Sequence, residues 1–411
     1  MKTDKFMNQR IGWGSFLALS VLAGCSSGGS APATSGAGSS PTAAPSASAI
    51  ATASPTPTPA VTANPSGFTI TGPSPAATYA AFDGEIKSFM RQYGIRAGQL
   101  AVAKGGHVLY SHAYTNSTDP TYMITLPTSI MRVSSNSKAL VTAAMTMLFA
   151  ENKVTPSTPV WSFLGIARPL LPSQTPDARA GQITVQELID HTAGLGGSSS
   201  SDPEFNMYEI EGAAGNSGPL TEAQYAAYLY GQPLNSNPGS TMVYSNDGYF
   251  LLQEVIQKAT GENYMTWVDA NVLAPIGITD AIVSATALSG KRSNETTCDD
   301  PFTGPSVLFP KRSLIVPDCY GGITVYEIDP GSTSISISAQ SLASFAGHYD
   351  VYGLGPRAAG YAREGSFVGS VSWMESLNDG YDFAFSFNRR VDQNGNIFSI
   401  TPLTQYFEQN I

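Results

Sequence analysis

Between Val133 and Ala150 the chain reads VSSNSKALVTAAMTMLFA, so Ser135 and Lys138 stand three residues apart at the mouth of an apolar, helix-forming run. Residues three apart share one face of a helix, and the backbone N–H groups of a first turn have no intrahelical partner. A lysine amine can therefore lie beside the serine hydroxyl while free amides face the same space. That combination activates a nucleophile and can hold an oxyanion. In a serine-rich chain one Ser-x-x-Lys carries little by itself. A second segment, Tyr244-Ser245-Asn246, precedes another helical run, and two residues on either side of a non-helical position can both point into one cleft. Read alone, Tyr244 equally suits a core tyrosine and Asn246 an N-cap. Free tyrosine and lysine titrate near 10, so either serves as a base at neutral pH only when cationic neighbours or burial bring it down.

The elements that must position these groups are visible in the spacing. Gln99–Lys104 and His107–His112 flank Gly105-Gly106 as a hairpin, and Ser366–Leu377 with Tyr381–Asn388 flank Asn378-Asp379-Gly380 as another. Phe383, Phe385 and Phe387 alternate along the second, and with Trp373 they read as core. Between the hairpins the pattern predicts helices over 79–93, 138–151, 184–190 with a Thr184/Glu187 capping box, 221–230, 247–260 stopped by Gly261, and 263–273 before Pro275. An antiparallel sheet built from both chain ends, interrupted by a mostly helical insertion, is an α+β architecture of two lobes around a cleft. His107 and His112 alternate on a hairpin without carboxylate or cysteine partners at metal spacing and read as surface or packing residues.

The order of segments resembles the serine β-lactamase and penicillin-binding-protein superfamily over nearly all of residues 75–411. Besides Ser135-Asn-Ser-Lys138 there is ITVQELIDHTAGL at 183–195, then Pro238-Gly-Ser-x-x-x-Tyr244-Ser-Asn246-x-Gly248-Tyr249, Thr260-Gly261 and Pro275-Ile-Gly-Ile. The terminal GSFVGSVSWMESLNDGYDFAFSFNRR is similar to the family's last hairpin. The resemblance implies that Ser135 is the nucleophile, that Lys138 and Tyr244 move its proton, and that Asn246 orients Lys138 and donates to the substrate. It also implies that Ser135 and Ser366 N–H groups form the oxyanion hole beside Gly365, whose bare backbone lets the substrate approach. His191 it makes structural. The usual Lys-Thr-Gly or His-x-Gly reads Arg363-Glu364-Gly365: Arg363 keeps a positive charge that can bind a carboxylate but cannot titrate near neutrality. Glu364, if turned into the cleft, repels the carboxylate of a penicillin-type substrate; turned the other way on the strand, it does not.

The ends and the composition bound the setting. Lys2, Lys5 and Arg10 precede an apolar stretch over 11–23 that closes in Leu22-Ala23-Gly24-Cys25, an export signal over 1–24. Its end resembles a bacterial lipobox, which implies lipidation of Cys25, and Ser26 after it favours an outer-membrane lipoprotein facing the periplasm. Residues 25–66, almost all Ser, Ala, Gly, Thr and Pro, form a disordered tether, and the hydrolase domain follows at 67–411. Such a tether of about forty residues reaches on the order of 35 Å. A net charge of −10 argues against nucleic acid as a partner. Cys298 and Cys319, in an exported domain, suit a disulfide. Neither a metal nor a cofactor is expected. The reading is an envelope-anchored serine hydrolase acting through an acyl-enzyme on an ester or amide, esterase-like or D-Ala-peptidase-like, with a peptidoglycan-like or small-molecule substrate. The alternatives are a true β-lactamase and a catalytically silent cell-wall binding protein of the same fold.

Overall fold

Alternation of apolar residues along the terminal segments builds the centre of the molecule. A computed structural model describes residues 67–74, 77–120, 122–197 and 202–411, and these lie in one compact unit spanning Pro59–Ile411. The export signal, Cys25 and the tether fall outside the described residues. Strands β1 (Phe68–Thr71), β2 (Ala97–Lys104), β3 (His107–Asn116), β4 (Tyr361–Phe367), β5 (Ser370–Ser376) and β6 (Tyr381–Phe387) form one antiparallel sheet in the order β1-β3-β2-β6-β5-β4. The two chain ends thus meet where β6 pairs with β2, Phe385 opposite Leu100. Gly105 and Gly106, both at positive φ, close the β2–β3 turn, where two left-handed residues match the sheet's twist.

The two faces of the sheet bury different things. Leu100, Val102, Phe383, Phe385 and Phe387 pack with helices α1 (Phe82–Tyr93) and, at the other end of the chain, Thr401–Asn410. The opposite face offers Ala101, Ala103, Ala384 and Met374, and these small residues belong to the larger core. That core is filled by helices α2 (Ser137–Ala150), α3 (Val185–Ile189), α4 (Glu222–Tyr230), α5 (Asn246–Thr260) and α6 (Ala339–His348), which places Thr401–Asn410 as α7. Helix α2 is apolar nearly all round and accordingly buried on most of its surface. The expected capping box is present at α3, where Thr184 N donates to Glu187 Oε2 at 2.8 Å and Glu187 N to Thr184 Oγ1 at 3.4 Å. Gly261 ends α5 in the left-handed conformation.

Five readings change. Ser366–Leu377 is not one strand: the chain reverses at Val368-Gly369, Gly369 having φ 61°, and β4 precedes β5 as a separate edge strand. The helix expected from 79 begins at Phe82, after a short 3-10 turn, and 263–273 is an α-helical turn running into a wider π turn. Helices α6 and α7 are additional, as are the shorter helices Val160–Leu164 and Met207–Ala214. His112 does have a carboxylate partner: its Nδ1 lies 2.8 Å from Asp83 Oδ1, an atom that also accepts from Tyr110 and Tyr114 at 2.8 Å each. It is a packing residue, buried within the β3–α1 junction, whereas His107 is exposed. Cys298 and Cys319 are joined in a disulfide, 21 residues apart.

Candidate active site

Ser135 sits in a turn, not in the helix proper. Ser134–Asn136 form one 3-10 turn between the short strand Met131–Arg132 and α2, and Ser134 takes φ 51°, a left-handed value uncommon for a residue with a Cβ. Several distant segments hold this turn. Val133 N donates to Ile335 O at 2.9 Å, and Ser137 Oγ accepts from Ile335 N at 3.1 Å. Strand β5 supplies Ser372, whose Oγ donates to Val133 O at 2.7 Å and accepts from Asn136 Nδ2 at 2.8 Å, and Ser370, whose hydroxyl bonds that of Ser134.

Around Ser135 the side chains converge as the spacing predicts. Its Oγ lies 2.7 Å from Tyr244 Oη and 3.2 Å from Lys138 Nζ. Lys138 is fully buried (0% exposed), and its Nζ also donates to Asn246 Oδ1 at 2.7 Å and to Ser332 O at 2.9 Å. Three acceptors for three N–H bonds satisfy an ammonium that would otherwise be costly to bury. Its Nζ lies 5.0 Å from the centre of the Tyr244 ring. Tyr244, by contrast, is 38% exposed and faces the opening.

Local structure explains how Tyr244 and Asn246 both reach the site. Ser245, extended at ψ 122°, is the N-cap of α5, its Oγ accepting from Gly248 N at 3.0 Å, so Asn246 is the first helical residue and not the cap. His191 holds this corner: its Nδ1 accepts from Ser245 N at 3.1 Å, and its ring packs 4.6 Å from that of Tyr244. Burial, then the Lys138 and Arg363 cations, push the His191 pKa down, which keeps Nδ1 available as an acceptor. The structural role expected of His191 is thus a positioning one.

Strand β4 lies against the Ser134–Asn136 turn on its Arg363 and Gly365 face. A Cβ at Gly365 would fall 2.1 Å from Val133 O and 3.1 Å from Asn136 N, so only glycine allows this approach. Arg363 Nε donates to Ser135 O at 3.0 Å, its guanidinium 5.3 Å from the centre of the Tyr352 ring. Arg363 is therefore committed in part to the backbone of Ser135. Glu364 pairs with Trp373 across the β4–β5 ladder and so shares the sheet's other face. Burial pushes its carboxyl up. Ser366 follows Gly365 on the same edge strand. Sequence reasoning missed Ser370, Ser372 and the Ser332 carbonyl, as well as Asp202 behind Asn246; the serines look like ordinary strand residues, and a backbone carbonyl has no sequence signal.

A serine hydroxyl within hydrogen-bond distance of a buried lysine and of a tyrosine from a helix start is an arrangement suited to activating that serine. The beta-lactamase family matches residues 82–399, and the chain belongs to that family. Esterase EstB of Burkholderia gladioli is 26% identical over 228 residues, 53% of this chain and 54% of the esterase. The chain spans about half the length of the curated relatives it matches. Among known structures, D-amino acid amidase from Ochrobactrum anthropi SV3 superposes with a TM-score of 0.58 at 15% identity, covering 82% of this chain and 97% of that one. D-alanine carboxypeptidase AmpC from Burkholderia cenocepacia gives 0.54 at 13% identity, covering 77% and 95%. These structural likenesses concern the fold.

Proposed function

We propose that the protein is a serine hydrolase that works through an acyl-enzyme on an ester or amide, with esters and D-amino-acyl amides or peptides as its substrate class. The observation that carries this reading is the double contact at Ser135 Oγ, with Tyr244 Oη at 2.7 Å and the buried Lys138 Nζ at 3.2 Å. Ser135 attacks the carbonyl carbon while its proton passes to the Tyr244 oxygen, which takes it as a phenolate stabilised by the neighbouring Lys138 ammonium. The oxyanion is held by the Ser135 and Ser366 N–H groups, and Tyr244 returns the proton to the leaving alcohol or amine. Water, deprotonated by Tyr244, then attacks the acyl carbon, and Ser135 leaves and recovers its proton. Similarity to an esterase and to proteins acting on D-amino acid substrates supports the substrate class.

A β-lactam substrate is the second reading, and one observation favours it: Glu364 lies on the sheet face away from Arg363 and Gly365, so its charge does not oppose a substrate carboxylate. The Leu22-Ala23-Gly24-Cys25 motif supports, further, a lipid anchor at Cys25 and work at the cell envelope, on the periplasmic side of the outer membrane; metabolic labelling with a fatty-acid probe, lost in Cys25→Ala, tests it. The test of catalysis is labelling by a fluorophosphonate, followed by turnover of short-chain esters, D-alanyl peptides and a chromogenic cephalosporin. Wild type is expected to label and Ser135→Ala not to. A wild type that does not label supports the silent binding protein instead, and turnover of the cephalosporin above that of every ester and peptide would replace the proposed substrate class with β-lactams.

A further inference from the structure

Lys138 can point its N–H bonds correctly only if Asn246 offers it the amide oxygen and not the amide NH2. An amide side chain is nearly symmetric in shape, so this choice is fixed by what its other end meets. Here the other end meets a carboxyl: Asn246 Nδ2 donates to Asp202 Oδ2 at 3.4 Å. Asp202 is itself held, since its Oδ1 accepts from Glu204 N at 3.1 Å and its carbonyl from Asn206 Nδ2 at 2.8 Å, and it is 4% exposed. A continuous chain of contacts therefore runs from Asp202 through Asn246 and Lys138 to Ser135 Oγ.

We infer that Asp202 is a positioning residue for the reaction, fixing through Asn246 the orientation of Lys138 toward Ser135. The inference rests on Ser135 being the nucleophile. Asp202 does this best as a carboxylate, because the ionised form only accepts hydrogen bonds, whereas the acid form can turn a donor toward Asn246. The groups that face it are Glu204 on its own turn, Asp247 on α5, Lys138 on α2 and Tyr225 on α4, while Asp329, before the Ile335–Ile337 strand, faces Glu204 and Lys138. Asp247 shares a hydrogen bond with Asp202 and accepts from Tyr225 Oη at 2.6 Å. Glu204 and Asp329 bond Thr333 and Ser332, the residue whose carbonyl is the other fixed acceptor of Lys138. With one ammonium among four buried carboxyls, protons must be shared. Burial, then the charge of Glu204, push Asp202 up to about 7. Acylation should therefore rise with pH across a limb near neutrality, as Asp202 ionises and Asn246 locks.

Two substitutions separate the roles. Asp202→Ala removes the acceptor and should lower the acylation rate by about tenfold to a hundredfold with KM changed less than about twofold, the range seen when an outer partner of a reacting group is lost. Asp202→Asn keeps an acceptor oxygen of the same shape but cannot ionise, so it should recover much of that rate while its profile is flat between about pH 6 and 8. Acylation is followed by fluorophosphonate labelling and by the burst of an activated ester, with thermal melting of each variant alongside. Should the alanine variant fail to fold, the pH profile of the near-isosteric asparagine variant decides. An unchanged limb in Asp202→Asn, or an unchanged rate in a folded Asp202→Ala, overturns the role of Asp202. If Ser135→Ala has lost labelling in the same experiment, the nucleophile reading survives that failure; labelling that persists in Ser135→Ala overturns both.

Discussion

Substituting Gly365 by alanine tests whether the approach of β4 to the nucleophile turn sets the chemistry. The added Cβ would sit 2.1 Å from Val133 O, where ordinary contacts begin near 3.4 Å. The obstructing atom is backbone, bonded by Ser372 Oγ at 2.7 Å, and that hydroxyl would itself lie 2.7 Å from the added Cβ, so neither gives way as a free side chain could. Relief requires β4 and the turn to separate by about 1.3 Å, the difference between those two distances. Overpacking of this kind costs about 1–3 kcal/mol of stability, little enough for the protein to stay folded. The same movement carries Ser366 away from Ser135 and pulls on the Arg363–Ser135 bond, and a misplacement of about 1 Å can cost about a hundredfold in rate. Thermal melting should therefore show a modest decrease, and single-turnover acylation by an activated ester a loss on the order of a hundredfold. A Gly365→Ala protein that acylates within about threefold of wild type would refute the reasoning, since the close approach would then have no catalytic consequence.

Tyr244→Phe removes only a hydroxyl 2.7 Å from Ser135 Oγ on a partly exposed ring, and it should lower acylation by about 10²–10⁴-fold with the melting temperature nearly unchanged; pre-steady-state kinetics would show it. The Asp83–His112 pair should make stability depend on pH in both directions. Burial alone would raise Asp83, but the bonds from His112 and Tyr110 outweigh it and lower its pKa, so its contribution is present above its unfolded value and lost as pH falls through the folded one. Burial alone would lower His112, yet the bond to Asp83 raises it, so its contribution is complete below its unfolded value and fades as pH rises through the folded one. The stabilising window therefore lies between about pH 4 and 6.5, and the melting-temperature gap between wild type and His112→Asn should narrow from pH 5.5 to 8.5. Replacing both Cys298 and Cys319 by serine should cost roughly 3 kcal/mol in urea unfolding, and reductant should bring wild type to the same value.

Local signals made much of this molecule legible. The capping box at Thr184 and Glu187, the glycine stop at Gly261 and the Asn378-Asp379-Gly380 turn act over a few residues, and each stands where its chemistry requires. The Ser135, Lys138, Tyr244 and Asn246 set was legible only through the ordered series of motifs that resembles a known family, since by type and spacing alone Tyr244 suits a core residue and Asn246 a cap. What escaped depends on register and on distant packing. The reversal at Val368-Gly369 lacks a polar turn residue and hides inside a continuous small and apolar run. Helix α6 is built largely from Ala, Ser and Gly, without charges to mark its faces. The direction of Glu364 follows only from its pairing with Trp373, and the approach of Asp202 to Asn246 joins positions 44 apart that no periodicity connects.

The bed of the nucleophile has a consequence for synthesis. Ser135 and Lys138 emerge early, but the hydroxyls of Ser370 and Ser372, the Ser332 carbonyl and the Arg363 guanidinium come from the last fifth of the chain. Until β5 and β6 are in place, the turn carrying Ser135 lacks the Ser370 and Ser372 hydroxyls that bond Ser134 and Val133. The surroundings of Ser135 are therefore completed only in the step that closes the sheet.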